Sequence, residues 1–187
     1  TITSQKAGTE KQLMAIIERI DRYSFEPYLI CLKSSQWMKE NRLPFETFVL
    51  DYRGFIKLDF PKAIKRLLDL IEKMDFDIIQ TFFEDSIFIG YIGKILSRKK
   101  PLLLSSRRDI GFGGDEPWYH TLYRIVLPIV NKSFDGIVAN GINVKKYVAG
   151  REKDDLDKIK VIHNGISLPD HPEPRPSLFI DIKADLW

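Results

Sequence analysis

Two arginines and an aspartate, Arg107-Arg108-Asp109, follow the apolar run Leu102-Leu103-Leu104-Ser105-Ser106 and precede a glycine-bearing stretch from Ile110 to Glu116. Guanidinium groups bind phosphate and carboxylate through paired N–H donors, and a neighbouring carboxylate can receive a sugar hydroxyl's proton. Arg107 and Arg108 are therefore candidate ligand-binding residues, Asp109 with Arg108 is the candidate catalytic pair, and the glycines suit a loop that moves over a ligand. The same residues also fit an exposed, ion-paired loop. A second candidate is the turn Lys6-Ala7-Gly8-Thr9-Glu10 ahead of a helical pattern, since free backbone N–H groups at a helix start attract a phosphate. Its structural alternative gives Gly8 the turn, Thr9 the cap and Glu10 the helix dipole. Glu84 and Asp85, after the run Asp77 to Phe82, suit binding of sugar hydroxyls or general-base work, and equally suit the start of a helix.

Several chemistries find no support. The dinucleotide pattern G-x-G-x-x-G and the triphosphate pattern G-x-x-x-x-G-K-[ST] are missing. His120, His163 and His171 lack ligand spacing and a single cysteine, Cys31, cannot complete a zinc site, so no protein-bound metal is expected. Cys31 lies in an apolar run and reads as a buried structural thiol in a reducing, cytoplasmic compartment. The net charge of +3 is too small to indicate nucleic acid. Arg98-Lys99-Lys100 is a local basic cluster, a solvated surface or a site of peripheral membrane contact. The N-terminal residues lack the apolar segment of a signal peptide, and no run reaches the roughly 18 apolar residues of a membrane span.

The elements that must hold these residues can be read from periodicity. Helical spacing is seen from about Gly8 to Arg22, from Pro61 with Ile64, Leu67, Leu68 and Ile71, from Asp85 to Ser97, from Trp118 to Val130 with a bend expected near Pro128, and around Val144 to Val148. Short apolar runs between them read as strands: Tyr28 to Leu32, Phe45 to Leu50, Asp77 to Phe82, Leu102 to Ser106, Gly136 to Asn140 and Lys160 to Ile162. Gly90 and Gly93 lie in a helix that is apolar on more than one face, so this helix is expected between two layers. Unbroken apolar strands alternating with helices predict a doubly wound, mostly parallel α/β sheet with helices on both faces. In such sheets ligands bind beyond the carboxyl ends of the strands, which also singles out Asn140 and the turn Asn164-Gly165.

The Pro-rich stretch that follows Asn164-Gly165 reads as a linker, so the expected division is a domain at 1–168 and a linker with the start of another domain at 169–187. At the other end only Thr1-Ile2-Thr3-Ser4 precedes the glycine turn where a central strand is expected. The first strand therefore reads as truncated, with its place to be filled.

Four segments together resemble the retaining glycosyltransferases called group 1 or family 4. They are Ile2-Thr3-Ser4 with Ala7-Gly8-Thr9-Glu10-Lys11-Gln12-Leu13, Asp77-Ile78-Ile79-Gln80-Thr81, Asp135-Gly136-Ile137-Val138-Ala139-Asn140, and Val161-Ile162-His163-Asn164-Gly165-Ile166. The resemblance implies the GT-B architecture of two facing Rossmann-like domains, with this chain as the N-terminal, acceptor-side domain only. It implies a nucleotide-sugar donor for the full-length enzyme and no cofactor bound by this domain. A C-terminal donor domain and a glycan or lipid-linked acceptor would be its partners, at the inner face of the cell membrane for a lipid-linked one. Gly8 and Thr9 would approach the donor diphosphate. Arg107, Arg108, Glu84, Asp85 and Asn140 would face the acceptor, and Asn164-Gly165 would form the hinge beside the cleft. Ala7 stands where relatives usually have a first glycine, and Arg108 where they often have histidine. The paired glutamates of the family belong to the other domain; Glu10 and Glu18 match their spacing by accident. Without the donor half, the fragment is expected to be inactive. Two other readings of the residues stay open: a non-catalytic α/β module that binds an anion or sugar, and half of another GT-B enzyme such as a sugar-nucleotide epimerase.

Overall fold

Strands this short bury both faces only if helices cover them, and the arrangement follows from that requirement. The computed structural model describes residues 8–41, 43–108, 118–152 and 154–165, with the backbone alone for 118–124. The chain runs α1 (Gly8–Arg19), β1 (Leu29–Cys31), α2 (Gln36–Glu40), β2 (Thr47–Val49), α3 (Phe60–Met74), β3 (Ile78–Thr81), α4 (Glu84–Leu96), β4 (Leu102–Arg107), α5 (Trp118–Asn131), β5 (Gly136–Ala139), α6 (Ile142–Arg151), a short 3-10 turn at Leu156–Lys158 and β6 (Ile159–Val161). Every strand pairing among the described residues is parallel. β1 pairs with β2, and β3-β4-β5-β6 form a second ladder in that order. The expected doubly wound α/β class is borne out. The first-strand segment Ile2-Thr3-Ser4 and the linker 169–187 lie outside the described residues.

Alternation along β1 shows how both faces are covered. Leu29 and Cys31 are buried with Ile17 of α1, with Trp37 and Met38 of α2 packed alongside. Ile30, pointing the other way, packs against the group formed by Ala63, Ile64, Leu67 and Ile71 of α3. Further along, Ile87 and Phe88 of α4 meet Leu103 of β4 and Leu127 and Val130 of α5. Val144 and Val148 of α6 cover Ile137 and Ala139 of β5 and Ile159 of β6. Pro61 lies in the first turn of α3 as expected, and Pro128 lies inside α5. α2 is new: five residues are too few to show a helical period, and Ser35 holds its start by accepting from the Met38 N–H at 3.2 Å.

The layered position of α4 depends on its two glycines. A Cβ on Gly90 would sit 2.8 Å from Thr81 Cγ2 and 3.1 Å from Leu103 Cδ1, and one on Gly93 would sit 2.8 Å from Leu67 Cδ2 of α3. Gly90 thus lets α4 approach the sheet and Gly93 lets it approach α3. Alanine at position 90 is expected to cost about 1–3 kcal/mol of stability through overpacking, despite its better helix propensity. Thr81→Ser, which removes Cγ2, should recover part of that loss in a denaturant-melt double-mutant cycle.

At the opposite edge of the sheet Asp135 joins three elements. Its Oδ2 accepts from the Leu103 N–H at 2.6 Å and from the Lys94 ammonium of α4, while its own N–H donates to Leu103 O at 2.8 Å. Partial burial pushes the Asp135 carboxyl up, but the hydrogen bonds from Lys94 and Leu103 together with the Lys94 charge hold it below the usual aspartate range. A folded-state value below the unfolded one stabilises at pH above the unfolded value, and the gain is lost as pH falls through the folded value. Asp135→Asn should therefore cost about 1 kcal/mol at neutral pH. That difference should persist down to the usual aspartate pKa of 3.8 and vanish below Asp135's own lowered value, read from urea melts across the acid range.

Two basic residues at the end of α4 are used internally. Lys99 pairs with Asp75 at 3.0 Å, and the Lys100 ammonium donates to the Lys94 and Ile95 carbonyls at the helix C-terminus. No described helix is long and apolar enough to cross a membrane.

Candidate functional site

Arg107 ends β4 and Arg108 directly follows it, so the two diverge as successive residues of a strand do. Arg107 turns inward and is 8% exposed. Its Nη2 donates to Asn131 Oδ1 at 2.9 Å and to Glu152 Oε2 at 2.7 Å, and Asn131 Nδ2 reaches the same Glu152 oxygen at 2.6 Å. Asn131 ends α5 and Glu152 caps α6, so this buried pair fastens two helix ends to the central strand. Arg107, read from the sequence as a ligand-binding residue, is thereby withdrawn from the rim into a structural clamp.

Arg108 faces the rim. Its guanidinium carbon lies 5.1 Å from the centre of the Phe82 ring, and Nη1 donates to Asn164 Oδ1 at 2.6 Å. Burial pulls its pKa down from the ordinary arginine value, since half-burial disfavours the charged form. Asn140 binds the β4 exit twice, donating from its backbone to Arg107 O and from Nδ2 to Arg108 O, both at 3.1 Å. His163 Nδ1 stands 3.2 Å from Asn140 O.

The start of α1 reaches the same place. Gln12, one turn after Gly8, donates from Nε2 to Gly165 O. Gly8 is exposed, with nothing among the described residues within 4 Å of where a Cβ would lie, and Thr9 is half-buried beside it. The exits of β4, β5 and β6 therefore converge, bringing Arg108, Asn140, Asn164 and Gly165 together, with Gln12 of α1 joined to Gly165, and Gly8 and Thr9 about one turn before Gln12.

Glu84 and Asp85 are on the same rim, half-buried in the first turn of α4, where the Ser86 hydroxyl accepts from the Phe83 N–H at 2.9 Å. Asp85 is turned toward the β2 exit and Tyr52. Burial, then the negative charge of Asp85, raises the Tyr52 pKa, so the phenol stays protonated at any working pH. Tyr52 is fully buried and packs edge-on against Phe55 at 5.4 Å. Asp109 and residues 110–117 lie outside the described residues, as does Ile166. Among the described residues no group of three or more His, Cys, Asp or Glu could hold a metal ion.

Three rim residues escaped the sequence reading: Gln12, Tyr52 and Phe82. Tyr52 and Phe82 each follow a strand, so the rule that located Arg108 could have found them. Gln12 carries no such signal, because its partner is 153 positions away.

A rim of this kind, with a cation, several amides and an exposed helix start among the described residues, is chemically suited to an anionic, hydroxyl-rich ligand. The sequence model of Glycosyltransferase Family 4 matches residues 7–169, most of the chain. The chain belongs to glycosyltransferase family 4. Solved structures agree on the GT-B fold of this family 4 domain. The lipopolysaccharide outer core galactosyltransferase WaaB, in its apo form, aligns with a TM-score of 0.65 at 16% identity, over 94% of this chain and 47% of its own. HepE of Anabaena, in complex with UDP and glucose, gives a TM-score of 0.62 at 17% identity, over 88% and 43%. A glycosyltransferase from Rickettsia africae gives 0.62 at 19% identity, over 87% and 41%. The family 4 chain thus spans less than half the length of these neighbours. No curated protein matches it significantly.

Proposed function

We propose that this chain is the acceptor-side half of a retaining glycosyltransferase that moves a hexose from a nucleotide-sugar to a glycan or lipid-linked acceptor. The observation that carries this reading is the convergence of Arg108, Asn140, Asn164 and the α1 start at the carboxyl ends of parallel strands, where α/β sheets bind ligands. Family membership and a length below half that of WaaB and HepE support a second, donor-binding domain beyond a hinge at Asn164-Gly165. In that arrangement the rim forms one wall of the cleft.

Transfer forms a bond between the acceptor oxygen and the anomeric carbon, breaks the bond from that carbon to the diphosphate, and sends the hydroxyl proton to a base. This domain would orient the acceptor hydroxyl through Asn140, Glu84 and Asp85, and Asp109 beside Arg108 would accept from it. Gly8 and Thr9 would approach the donor diphosphate with backbone N–H groups. Arg108 would offset negative charge as the diphosphate departs. The groups that hold the nucleotide would come from the other domain, so the isolated chain should bind acceptor and leave donor unchanged. A lipid-linked acceptor would bring the protein to the inner face of the cell membrane.

The test uses full-length protein with a panel of nucleotide-sugars and of glycan and lipid-linked acceptors. Nucleotide release coupled to an acceptor mass gain of one sugar, with the donor's anomeric configuration kept, is the expected result. Absence of both transfer and donor hydrolysis across the whole panel would overturn the proposal.

A further inference from the structure

We infer that Arg108 is the receptor of a phosphate-type oxyanion at the rim between the β4 and β6 exits. Its neighbour supplies the contrast. Arg107 is buried with a carboxylate of its own, Glu152, whereas the half-buried Arg108 guanidinium meets only neutral groups among the described residues: the face of Phe82 and the amide oxygen of Asn164. Arg53, Arg66, Lys94, Lys99 and Lys158 all pair with carboxylates.

Burying a cation against an aromatic ring and one amide leaves part of its desolvation cost uncompensated. Arg108 Nε is itself buried without a hydrogen-bond partner. The ring and the amide nevertheless fix the plane of the guanidinium. One face is covered, Nη1 is engaged, and Nη2 has no partner among the described residues. A planar, pre-oriented fork suits the oxygens of a phosphate, which would supply a negative charge that no described residue gives it. Asn140, bound to Arg108 O, keeps the β4 exit in place, so the fork is held from its backbone as well.

Two molecules could bring this oxyanion: a nucleotide, through its diphosphate, or an acceptor that itself carries phosphate. The inference deepens the role given to Arg108 in the function proposed above, but its readout is binding alone, so loss of phosphate binding and loss of sugar transfer are distinguishable.

The test titrates the chain, by calorimetry or amide shifts, with inorganic pyrophosphate, a nucleoside diphosphate and a hexose phosphate. Hexose without phosphate is the blank. Wild-type protein should bind at least one of the three phosphates, more weakly as salt rises. Affinity should fall about tenfold or more in Arg108→Gln, which can still donate to Asn164, and less in Arg108→Lys, which keeps the charge without the fork. Arg53→Ala, which removes an exposed ion-paired arginine, should bind as wild type. Tighter binding of the nucleoside diphosphate than of the hexose phosphate identifies the donor as the source, and the reverse order identifies a phosphorylated acceptor. Equal affinity of wild type and Arg108→Gln, or no binding of any of the three phosphates, would overturn the inference.

Discussion

Replacing Glu152 by alanine should lower the stability of the domain by about 3–5 kcal/mol, because it leaves the Arg107 cation buried without its counter-charge. The loss is large because one carboxylate serves two donors. Glu152 Oε2 accepts from Arg107 Nη2 and from Asn131 Nδ2, so its removal strands both and loosens the ends of α5 and α6 together. In a chain of this size the melting temperature should fall by roughly 6–20 °C. Arg107→Met combined with Glu152→Leu removes charge and counter-charge at once, and should recover most of the stability lost by the single variant. Denaturant melts at unchanged m-value would check both expectations. A Glu152→Ala loss below about 1 kcal/mol, the range of exposed ion pairs, would mean that the pair is not buried as described.

Leu103→Ala and Leu102→Ala should differ sharply although the residues are adjacent. Leu103 is 0% exposed, in contact with the α4 and α5 layer, whereas Leu102 is 52% exposed on the other face of β4. Truncating Leu103 opens a cavity against Ile87 and Phe88 and should cost about 2–5 kcal/mol. Truncating Leu102 should cost less than about 1 kcal/mol, since little of its apolar surface is removed from water. Equal losses would contradict the register of β4 and with it the divergence of Arg107 and Arg108, because the same alternation determines all four side chains.

Much of this architecture was legible because its signals are local. Runs such as Leu102-Leu103-Leu104 are too short and too apolar for surface helices, and Pro61 marked the start of α3. Gly90 and Gly93 correctly announced a helix pressed from two sides, because a helix gives up side chains only where something must come close. The split between Arg107 and Arg108 was not legible. It depends on where β4 begins its alternation and on partners 24 and 45 positions further along the chain, Asn131 and Glu152. Neither partner carries any mark of its role, since asparagine and glutamate near helix ends ordinarily face water. α2 was missed because a single helical turn shows no period, and the bond from Gln12 to Gly165 because nothing local requires it. The position of the rim at the carboxyl ends of the strands was predictable from topology, while the identity of the side chains that line it was only partly so.

The account rests on the rim at the carboxyl ends of the strands being the working face. Hydrogen–deuterium exchange on full-length protein, with and without nucleotide-sugar and acceptor, tests this directly. Protection is expected in peptides spanning 8–12, 82–86, 107–108, 140–143 and 163–165. Protection confined to the opposite edge, in peptides spanning 75–77, 98–101 and 132–135, with none at the rim, would contradict it.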